Sequence, residues 1–289
     1  MRRVRTPRLP GPEPGLGFAA ATRLAVARAR PEVVHCLHYA DAAGAGRGAA
    51  PVVLKLTGVV PAGGATGLDA RLLRSALHHA AEVWVNSAYV HEAMAGFGVP
   101  MRVVPAGLHT ARFSPAPRAE RPTLLWASSP RERHKRFDDL LAAWPAVLRA
   151  VPDAELLLAG TRPPVVPEGA QWLGVLDDAA LRAHYASAWA VAMPSVHEAL
   201  GLVTLEALAS GTPVAGARSG ATPELLAEPG TGALSEPLAP DDFAVAVTAA
   251  LELGSDPATA ARCRAAAARY DWSVIVPQVL AGYRRVTAS

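Results

Sequence analysis

Cysteine, lysine and long hydrophobic runs are all scarce in this chain of 289 residues. The two cysteines, Cys36 and Cys263, lie far apart in the sequence, which favours reduced thiols over a disulfide. No apolar run approaches the length of a transmembrane helix, and no secretory signal is recognisable before the first strand-like segment. We therefore expect a cytoplasmic protein.

An excess of charge of one sign is also absent, because the net charge is only +3. We therefore predict no nucleic-acid partner. The basic residues are concentrated at the amino-terminal end, where residues 1–30 contain seven arginines and the single acid Glu13. Such a segment could make a weak peripheral contact with anionic lipid at the inner face of the membrane, or it could be a solvated or disordered tail. These arginines are Arg2, Arg3, Arg5, Arg8, Arg23, Arg28 and Arg30.

All but two of the 28 basic residues are arginine, as is typical of a GC-rich genome. The exceptions, Lys55 and Lys135, carry a compact ammonium that binds differently from a planar guanidinium. No aromatic residues are interleaved with the basic residues near Lys135, which also argues against a nucleic-acid surface.

Short apolar runs alternate with amphipathic stretches along the whole chain, a pattern typical of parallel sheets with crossover helices. The proline-bearing segment 107–122 interrupts this pattern and is predicted to be a linker. The sequence thus predicts an α/β protein with two Rossmann-like domains, 1–116 and 117–289. Predicted strands are 32–37, 51–57, 82–86, 101–105, 123–128, 154–160, 170–174, 188–194 and 212–216. Predicted helices are 18–30, 67–80, 87–98, 136–150, 178–186, 202–210, 222–227, 240–252, 256–269 and 273–287.

The two predicted domains differ in completeness. The second reads as a whole Rossmann-like domain closed by helix 273–287, with Pro145 expected to kink or break helix 136–150. Residues 1–18 contain no strand, whereas a doubly wound domain usually opens with a strand and a glycine-bearing turn. We expect a first domain without that strand and loop, either because it is reduced or because the reading frame starts late.

The stretch "PSVHEALGLVTLEALASG" reads as a strand end, a loop and a short helix. Gly201 would let the backbone approach a ligand, and the amides of Leu202, Val203 and Thr204 would face an anion such as phosphate. Glu206, one turn into the helix, could accept hydrogen bonds from a vicinal diol such as a ribose, or could be a solvated residue.

Glu198, in the loop before that helix, could accept a hydrogen bond from a sugar hydroxyl beside the phosphate. The motif therefore suits a nucleotide sugar, although two glutamates at this spacing also arise by chance.

Further candidates follow other predicted strands. Arg131, Arg133, Lys135 and Arg136 crowd one turn, where they could neutralise a diphosphate or simply form a solvated surface. The segment "SGATPELL" (219–226) could begin another helix that faces the same ligand as the start of helix 202–210, or it could be an ordinary helix cap. His35 and His38 lack further ligands at suitable spacing, so we expect no metal site.

Taken together, these motifs resemble glycosyltransferase family 4, whose members are retaining enzymes of the GT-B fold. The resemblance rests on "HHAAEVWVNSAYVHEAM", "VVPAGLHTARFSP", "KRFDDLLAAWPAVLRAVPDAELLLAG", "PSVHEALGLVTLEALASGTPVAG" and "DWSVIVPQVLAGY". It implies an α/β, GT-B protein with two Rossmann-like domains that face a cleft, the first of them incomplete. Departures include Arg136, where the family usually has glycine, and Thr57, where it usually has a histidine.

The resemblance also implies residue roles. Glu198 would contact the donor sugar, and Lys135, together with Arg131, would assist departure of the diphosphate, so these three are the candidate catalytic residues. The base would lie against the main chain at the end of strand 170–174. The candidate donor-binding residues are Glu206, Gly201, Leu202, Val203, Thr204, Arg133, Gly174 and Val175.

The implied function is a metal-independent, retaining hexosyltransferase without a cofactor. It would move a sugar from a nucleoside diphosphate sugar to an unidentified glycan, lipid or small molecule by a front-face mechanism. The alternatives are a non-catalytic nucleotide-sugar-binding protein, an inactive fragment of a GT-B enzyme, or a GT-B relative such as an epimerase.

Overall fold

A computed structural model describes residues 14–46, 50–58 and 67–288. The chain forms two compact units. Unit 1 consists of Met1–Ala106 and Ile275–Ser289, and unit 2 consists of Gly107–Val274. Unit 2 therefore begins at the first residue of the predicted linker rather than at 117, and residues from Ile275 onward belong to unit 1.

The start of the predicted linker is bonded to the end of unit 2. The Leu108 amide donates to the Tyr270 carbonyl at 2.8 Å, and the Trp272 amide donates to the Leu108 carbonyl at 3.0 Å. Thr110 donates to the Asp271 carboxylate through its amide at 3.0 Å and its hydroxyl at 2.6 Å. These bonds make the segment an integral part of unit 2, which is why the boundary lies earlier than predicted.

Arg118 fixes the next part of that segment. Its guanidinium donates to the carbonyls of Ala186, Ala188 and Gly211 at 3.2, 2.6 and 2.8 Å, and to the Thr212 hydroxyl at 2.7 Å. Burial lowers the pKa of the half-buried guanidinium, which is surrounded by these protein acceptors.

Replacing Arg118 by methionine should lower the free energy of unfolding by about 3 kcal/mol, because several buried acceptors would lose their donor. Urea denaturation of the full chain measures this change. Arg121→Met is the matched control, since its ion pair with Glu155 spans 3.2 Å between side chains that are 64% and 44% exposed. That variant should lose less than about 1 kcal/mol. Equal losses in the two variants would contradict the role given to Arg118.

Unit 1 contains a four-stranded parallel sheet in the order β1-β2-β3-β4. Its third strand is followed by α4, capped by the Ser87 hydroxyl, which accepts from the Val90 amide at 3.3 Å. Helix α2 was not predicted. The strands are β1 (Val34–Cys36), β2 (Val52–Leu56), β3 (Glu82–Val85) and β4 (Met101–Val103). The helices are α1 (Pro14–Ala29), α2 (Tyr39–Ala45), α3 (Gly67–His79) and α4 (Ala88–Met94).

Unit 2 contains a six-stranded parallel sheet in the order β10-β9-β8-β5-β6-β7. Five of its strands were predicted, and β10 was not. The strands are β5 (Thr123–Ala127), β6 (Glu155–Ala159), β7 (Ala170–Gly174), β8 (Ala190–Met193), β9 (Val214–Ala217) and β10 (Gly232–Ser235). Its helices are α5 (Phe137–Ala150), α6 (Asp178–Ser187), α7 (Leu202–Ala209), α8 (Thr222–Leu225), α9 (Pro240–Ser255) and α10 (Pro257–Ala268). The last helix, α11 (Trp272–Thr287), begins at the end of unit 2 and belongs to unit 1 from Ile275 onward.

Helices cover both faces of the unit 2 sheet. Alternate residues of β5 point into different cores, with Leu124 in a cluster that includes α5 and α9 and Leu125 in one that includes α7 and α10. The chain order of the strands reverses between β5 and β8, and in a doubly wound sheet the crevice at the carboxyl ends of two such strands is the usual ligand site.

Pro145 was predicted to kink or break helix α5. The helix runs through Pro145 without a break, so a break is wrong, and a kink stays a prediction. Pro145 lies on the exposed side of the helix between the buried residues Trp144 and Val147. The carbonyl that loses its helical donor there can be hydrated, and the buried face of α5 keeps its packing.

The carboxyl-terminal half of α11 packs in unit 1 against Trp84. A Cβ at Gly282 would overlap the Trp84 indole, and Tyr283 stacks on that ring with centroids 5.7 Å apart. Arg285 donates to both oxygens of Glu82, at 2.6 and 3.0 Å. None of the helices within the three described ranges has the length and hydrophobicity needed to span a membrane.

Candidate functional site

The basic turn after β5 and the acidic loop after β8 meet at the switch point of the unit 2 sheet. Lys135 Nζ lies 2.6 Å from Glu198 Oε1, and the two side chains are only 16% and 12% exposed. The Val196 amide donates to the His134 carbonyl at 2.8 Å, so the backbone also joins the two loops. Two residues that were predicted from separate motifs therefore belong to one site.

The other basic residues of this turn are placed differently. Arg136 has a left-handed backbone, with φ of 53°, and donates to both oxygens of Asp139 at 2.8 and 2.6 Å. It is therefore engaged at the start of α5. Arg131 and Arg133 are exposed. Lys135 is thus the cation that contacts Glu198, and the roles of Arg131 and Arg133 stay predictions.

Helix α7 starts at Gly201, whose φ is 82°, and no side chain caps this end. Leu202 is 49% exposed, whereas Thr204 and Leu205 are fully buried and anchor the helix in the core. The buried Thr204 hydroxyl has no hydrogen-bond partner in the part of the chain that the structure describes. The helix start therefore has the form expected of an anion site, and binding by Leu202, Val203 and Thr204 stays a prediction.

The segment after β9 supports the Glu198 loop. The Ala221 amide donates to the Glu198 carbonyl at 2.8 Å, and the His197 amide donates to the Ser219 hydroxyl at 3.1 Å. Gly220 has φ of 63°, and a Cβ there would lie 2.5 Å from both the backbone nitrogen and the backbone oxygen of Glu198. The sequence suggests either a second ligand-facing helix start or an ordinary cap at this segment, and its observed contacts hold the backbone of Glu198.

Glu206 faces a cavity of about 170 Å³ within unit 2. Burial raises the pKa of its carboxyl group, the nearby Tyr185 hydroxyl opposes that rise, and Asp178 adds to it. Glu206 is therefore not the freely solvated helix residue that was considered as an alternative. The cavity is lined by Gly107, Leu108, His109, Arg112, Phe113, Asp178, Leu181, Arg182, Tyr185, Glu206 and Trp272.

The end of β7 presents an open backbone. Gly174 has φ of 80° with no atom within 4 Å of where a Cβ would lie, and Val175 is 78% exposed. The Gly160 amide donates to the Gly174 carbonyl at 2.8 Å, which fixes this end of the strand. Contact of the two residues with a base stays a prediction.

Sequence reasoning missed Tyr185, which lines the same cavity as Glu206. Tyr185 lies within a helical pattern that gives no sign of its proximity to Glu206.

The two histidines considered as metal ligands have other contacts. The His38 side chain accepts from the Ala40 amide at 3.2 Å, and His35 Nδ1 lies 2.5 Å from the Tyr283 hydroxyl. Within residues 14–46, 50–58 and 67–288, no group of three or more His, Cys, Asp or Glu side chains is arranged to hold a metal ion.

The two parallel sheets and the similarity to solved GT-B structures confirm the predicted α/β, GT-B fold class. Residues 121–253 match the family of glycosyl transferases group 1. This segment of the chain carries the sequence signature of the family, as its motifs predicted.

Two curated relatives carry inositol-related names. A phosphatidyl-myo-inositol mannosyltransferase of Propionibacterium freudenreichii is 33% identical over 207 residues, which cover 71% of this chain and 53% of that protein. A D-inositol 3-phosphate glycosyltransferase of Segniliparus rotundus is 31% identical over 230 residues, covering 71% and 51%. The chain spans about half the length of these relatives.

Among solved structures, Anabaena HepE in complex with UDP superposes with a TM-score of 0.80 at 18% identity. The match covers 92% of this chain and 82% of that one. At this identity the similarity concerns the fold.

Proposed function

We propose that this chain is a retaining glycosyltransferase that moves a sugar from a nucleoside diphosphate sugar to an acceptor. The observation that carries the proposal is the ion pair between Lys135 and Glu198 at the switch point, beside the uncapped start of α7. A cation and a helix start suit a diphosphate, and a carboxylate next to them suits the hydroxyls of the attached sugar.

In the proposed reaction, the bond between the anomeric carbon and the leaving phosphate oxygen breaks. The acceptor oxygen bonds to the same face of that carbon, and its proton passes to the leaving phosphate. Lys135 and the α7 amides stabilise the charge that develops on the diphosphate, with Arg131 or Arg133 in support. In this proposal the side chains and amides do this without a metal ion.

The rest of the donor is assigned to neighbouring residues. Glu206 is proposed to bind the ribose, because its carboxylate faces a cavity instead of bulk solvent. Gly174 and Val175 are proposed to edge the base, because the backbone there is open. The names of the relatives suggest an inositol-containing acceptor as the first to test, and the acceptor of this chain is otherwise unassigned.

Thermal shift with UDP, GDP and ADP and their sugar derivatives tests donor binding. The donor nucleotide should raise the melting temperature, since a ligand at about 100 times its Kd adds about 2.7 kcal/mol of stability. Release of nucleoside diphosphate with inositol-type acceptors then tests turnover.

The outcomes separate the alternatives. If no nucleotide raises the melting temperature and no sugar is transferred, the proposal is wrong. Donor binding without hydrolysis or transfer would favour a non-catalytic binding protein, and a donor whose sugar changes configuration would favour an epimerase.

A weak peripheral contact between the arginine-rich amino-terminal region and anionic lipid, at the inner face of the membrane, also stays a prediction. Arg2, Arg3, Arg5 and Arg8 lie outside the described residues, whereas Arg23 and Arg28 lie on α1.

A further inference from the structure

Tyr185 on α6 carries a buried hydroxyl group without an assigned use. The residue is 1% exposed, and its hydroxyl has no hydrogen-bond partner within the described ranges. The Thr212 hydroxyl donates to the Tyr185 carbonyl at 2.6 Å, which helps to fix the backbone at this residue. A buried donor that lacks an acceptor is costly, so its presence calls for a reason.

The Glu206 carboxylate is the group that this hydroxyl can serve. Tyr185 and Glu206 line the same cavity, and each affects the pKa of the other, although the Tyr185 hydroxyl is just outside hydrogen-bonding geometry. Burial and the nearby carboxylate raise the pKa of Tyr185 well above its usual value, so the hydroxyl stays protonated and can donate.

The charged neighbours of Glu206 have other contacts. Asp178 and Arg182 of α6 lie 3.8 Å apart, and Arg112 reaches Asp178 from the segment 107–113 at 3.2 Å. His109, which packs near Trp272 with ring centroids 6.3 Å apart, is the other ionisable side chain lining the cavity. Tyr185 is therefore the uncharged donor beside Glu206.

We propose that Tyr185 is a positioning residue for Glu206, whose carboxylate accepts a hydrogen bond from the Tyr185 hydroxyl once the ribose of a nucleoside diphosphate is bound. The inference rests on the proposed function, because it takes the ribose as the ligand of Glu206. A carboxylate has two oxygens, so one can bind the ribose hydroxyls while the other accepts from Tyr185.

This arrangement has two consequences. The hydroxyl is unsatisfied in the free protein and satisfied in the complex, so its removal should weaken nucleotide binding without destabilising the free protein. A donor to the carboxylate also favours the ionised form of Glu206. If nucleotide binding needs ionised Glu206, the affinity falls as the pH drops through the pKa of Glu206. Loss of the Tyr185 hydroxyl should raise that pKa, so the affinity should begin to fall at a higher pH.

The test uses the full chain with Tyr185→Phe, and with Tyr270→Phe as the control for losing a tyrosine hydroxyl outside the cavity. Calorimetric titration with UDP and GDP should show about tenfold weaker binding for Tyr185→Phe at neutral pH. The 2′,3′-dideoxy forms of both nucleotides should bind Tyr185→Phe and wild type equally. The melting temperature of ligand-free Tyr185→Phe should not fall.

Binding is then followed from pH 5 to pH 8. The loss of UDP or GDP affinity at low pH should begin at a higher pH in Tyr185→Phe and should disappear in Glu206→Gln. The dideoxy nucleotides carry the same diphosphate, so their pH dependence shows how much of the loss of affinity comes from protonation of the diphosphate itself. His109→Gln should leave the loss of affinity at low pH unchanged.

Two results would overturn the inference while leaving the proposed function intact. The first is an equal loss of affinity for the ribose and dideoxy nucleotides in Tyr185→Phe. The second is ribonucleotide binding by Tyr185→Phe that matches wild type in strength and pH dependence. If wild-type protein binds none of the nucleotides, the proposed function itself fails.

Discussion

Lys135→Ala should lower kcat for sugar transfer by a factor of about 10² to 10³, the usual effect of removing one group that stabilises a developing anion. In the proposed reaction, the leaving diphosphate gains negative charge as its bond to the sugar breaks. Lys135 is the cation held within this site, at 2.6 Å from Glu198 and with a side chain that is 16% exposed. The loss should appear mainly in kcat, because the charge develops in the transition state.

Glu198→Gln should also lower kcat strongly, and the double variant should be less impaired than the sum of the two single changes predicts. Each single change leaves a charged partner that is only slightly exposed, whereas the double change removes both charges. Initial rates with a saturating donor measure all three variants.

Arg133→Ala is the matched control, because Arg133 belongs to the same basic turn but is exposed. Its kcat should fall by less than about tenfold, since an exposed charge is screened by water. If Arg133→Ala costs as much as Lys135→Ala, then Lys135 does not have the special place given to it here.

Gly220→Ala should lower the transfer rate by about 10²-fold, because misplacing a catalytic group by about 1 Å has an effect of this size. The added methyl would lie 2.5 Å from the Glu198 backbone nitrogen and oxygen, neither of which is the end of a flexible side chain. The loop that carries Glu198 must therefore shift, and its carboxylate would move away from Lys135.

Gly98→Ala separates this displacement from backbone strain. Gly98 has φ of 67°, close to the 63° of Gly220, but no atom lies within 4 Å of its hypothetical Cβ. A left-handed alanine should cost each variant about 1 to 2 kcal/mol of stability, as measured by urea denaturation. The overlap with the Glu198 backbone should add to this loss in Gly220→Ala. Only Gly220→Ala should lose activity beyond the loss of folded protein, and equal activities in the two variants would disprove the supporting role of Gly220.

Hydrophobic periodicity was sufficient to predict both parallel sheets, because most of their strands are strongly apolar runs such as "TLLWA" and "AVAM". Strand β10 was missed because three of the four residues of "GALS" are small and have little preference for extended structure. It forms in the context of the sheet, by pairing in parallel with β9.

The types of residue at the site were predictable, but their pairing was not. Arg131, Arg133, Lys135 and Arg136 look equivalent in the sequence. They are distinguished by the left-handed backbone of Arg136, which directs it to Asp139, and by the bond between Val196 and His134, which brings Lys135 to Glu198. Such contacts depend on long-range packing of loops, which no local pattern contains.

The setting of Glu206 was hidden for a similar reason. Part of its cavity comes from residues 107–113, which the sequence suggested to be a linker. Prolines, charges and the lack of periodicity are typical of linkers, and they are equally typical of a segment fixed by polar bonds such as those to Asp271 and from Arg118.

The bonds between Leu108 and residues 270–272 tie the beginning of unit 2 to its end. In terms of chain topology, unit 2 is inserted into unit 1, and the two ends of unit 2 are neighbours. A segment with adjacent ends is suited to expression by itself or to circular permutation, because a short connection can join them. Residues 107–274 include both Lys135 and Glu198 and form one continuous stretch of the chain, which could be expressed by itself. Unit 1, in contrast, is made of two separate stretches of the chain.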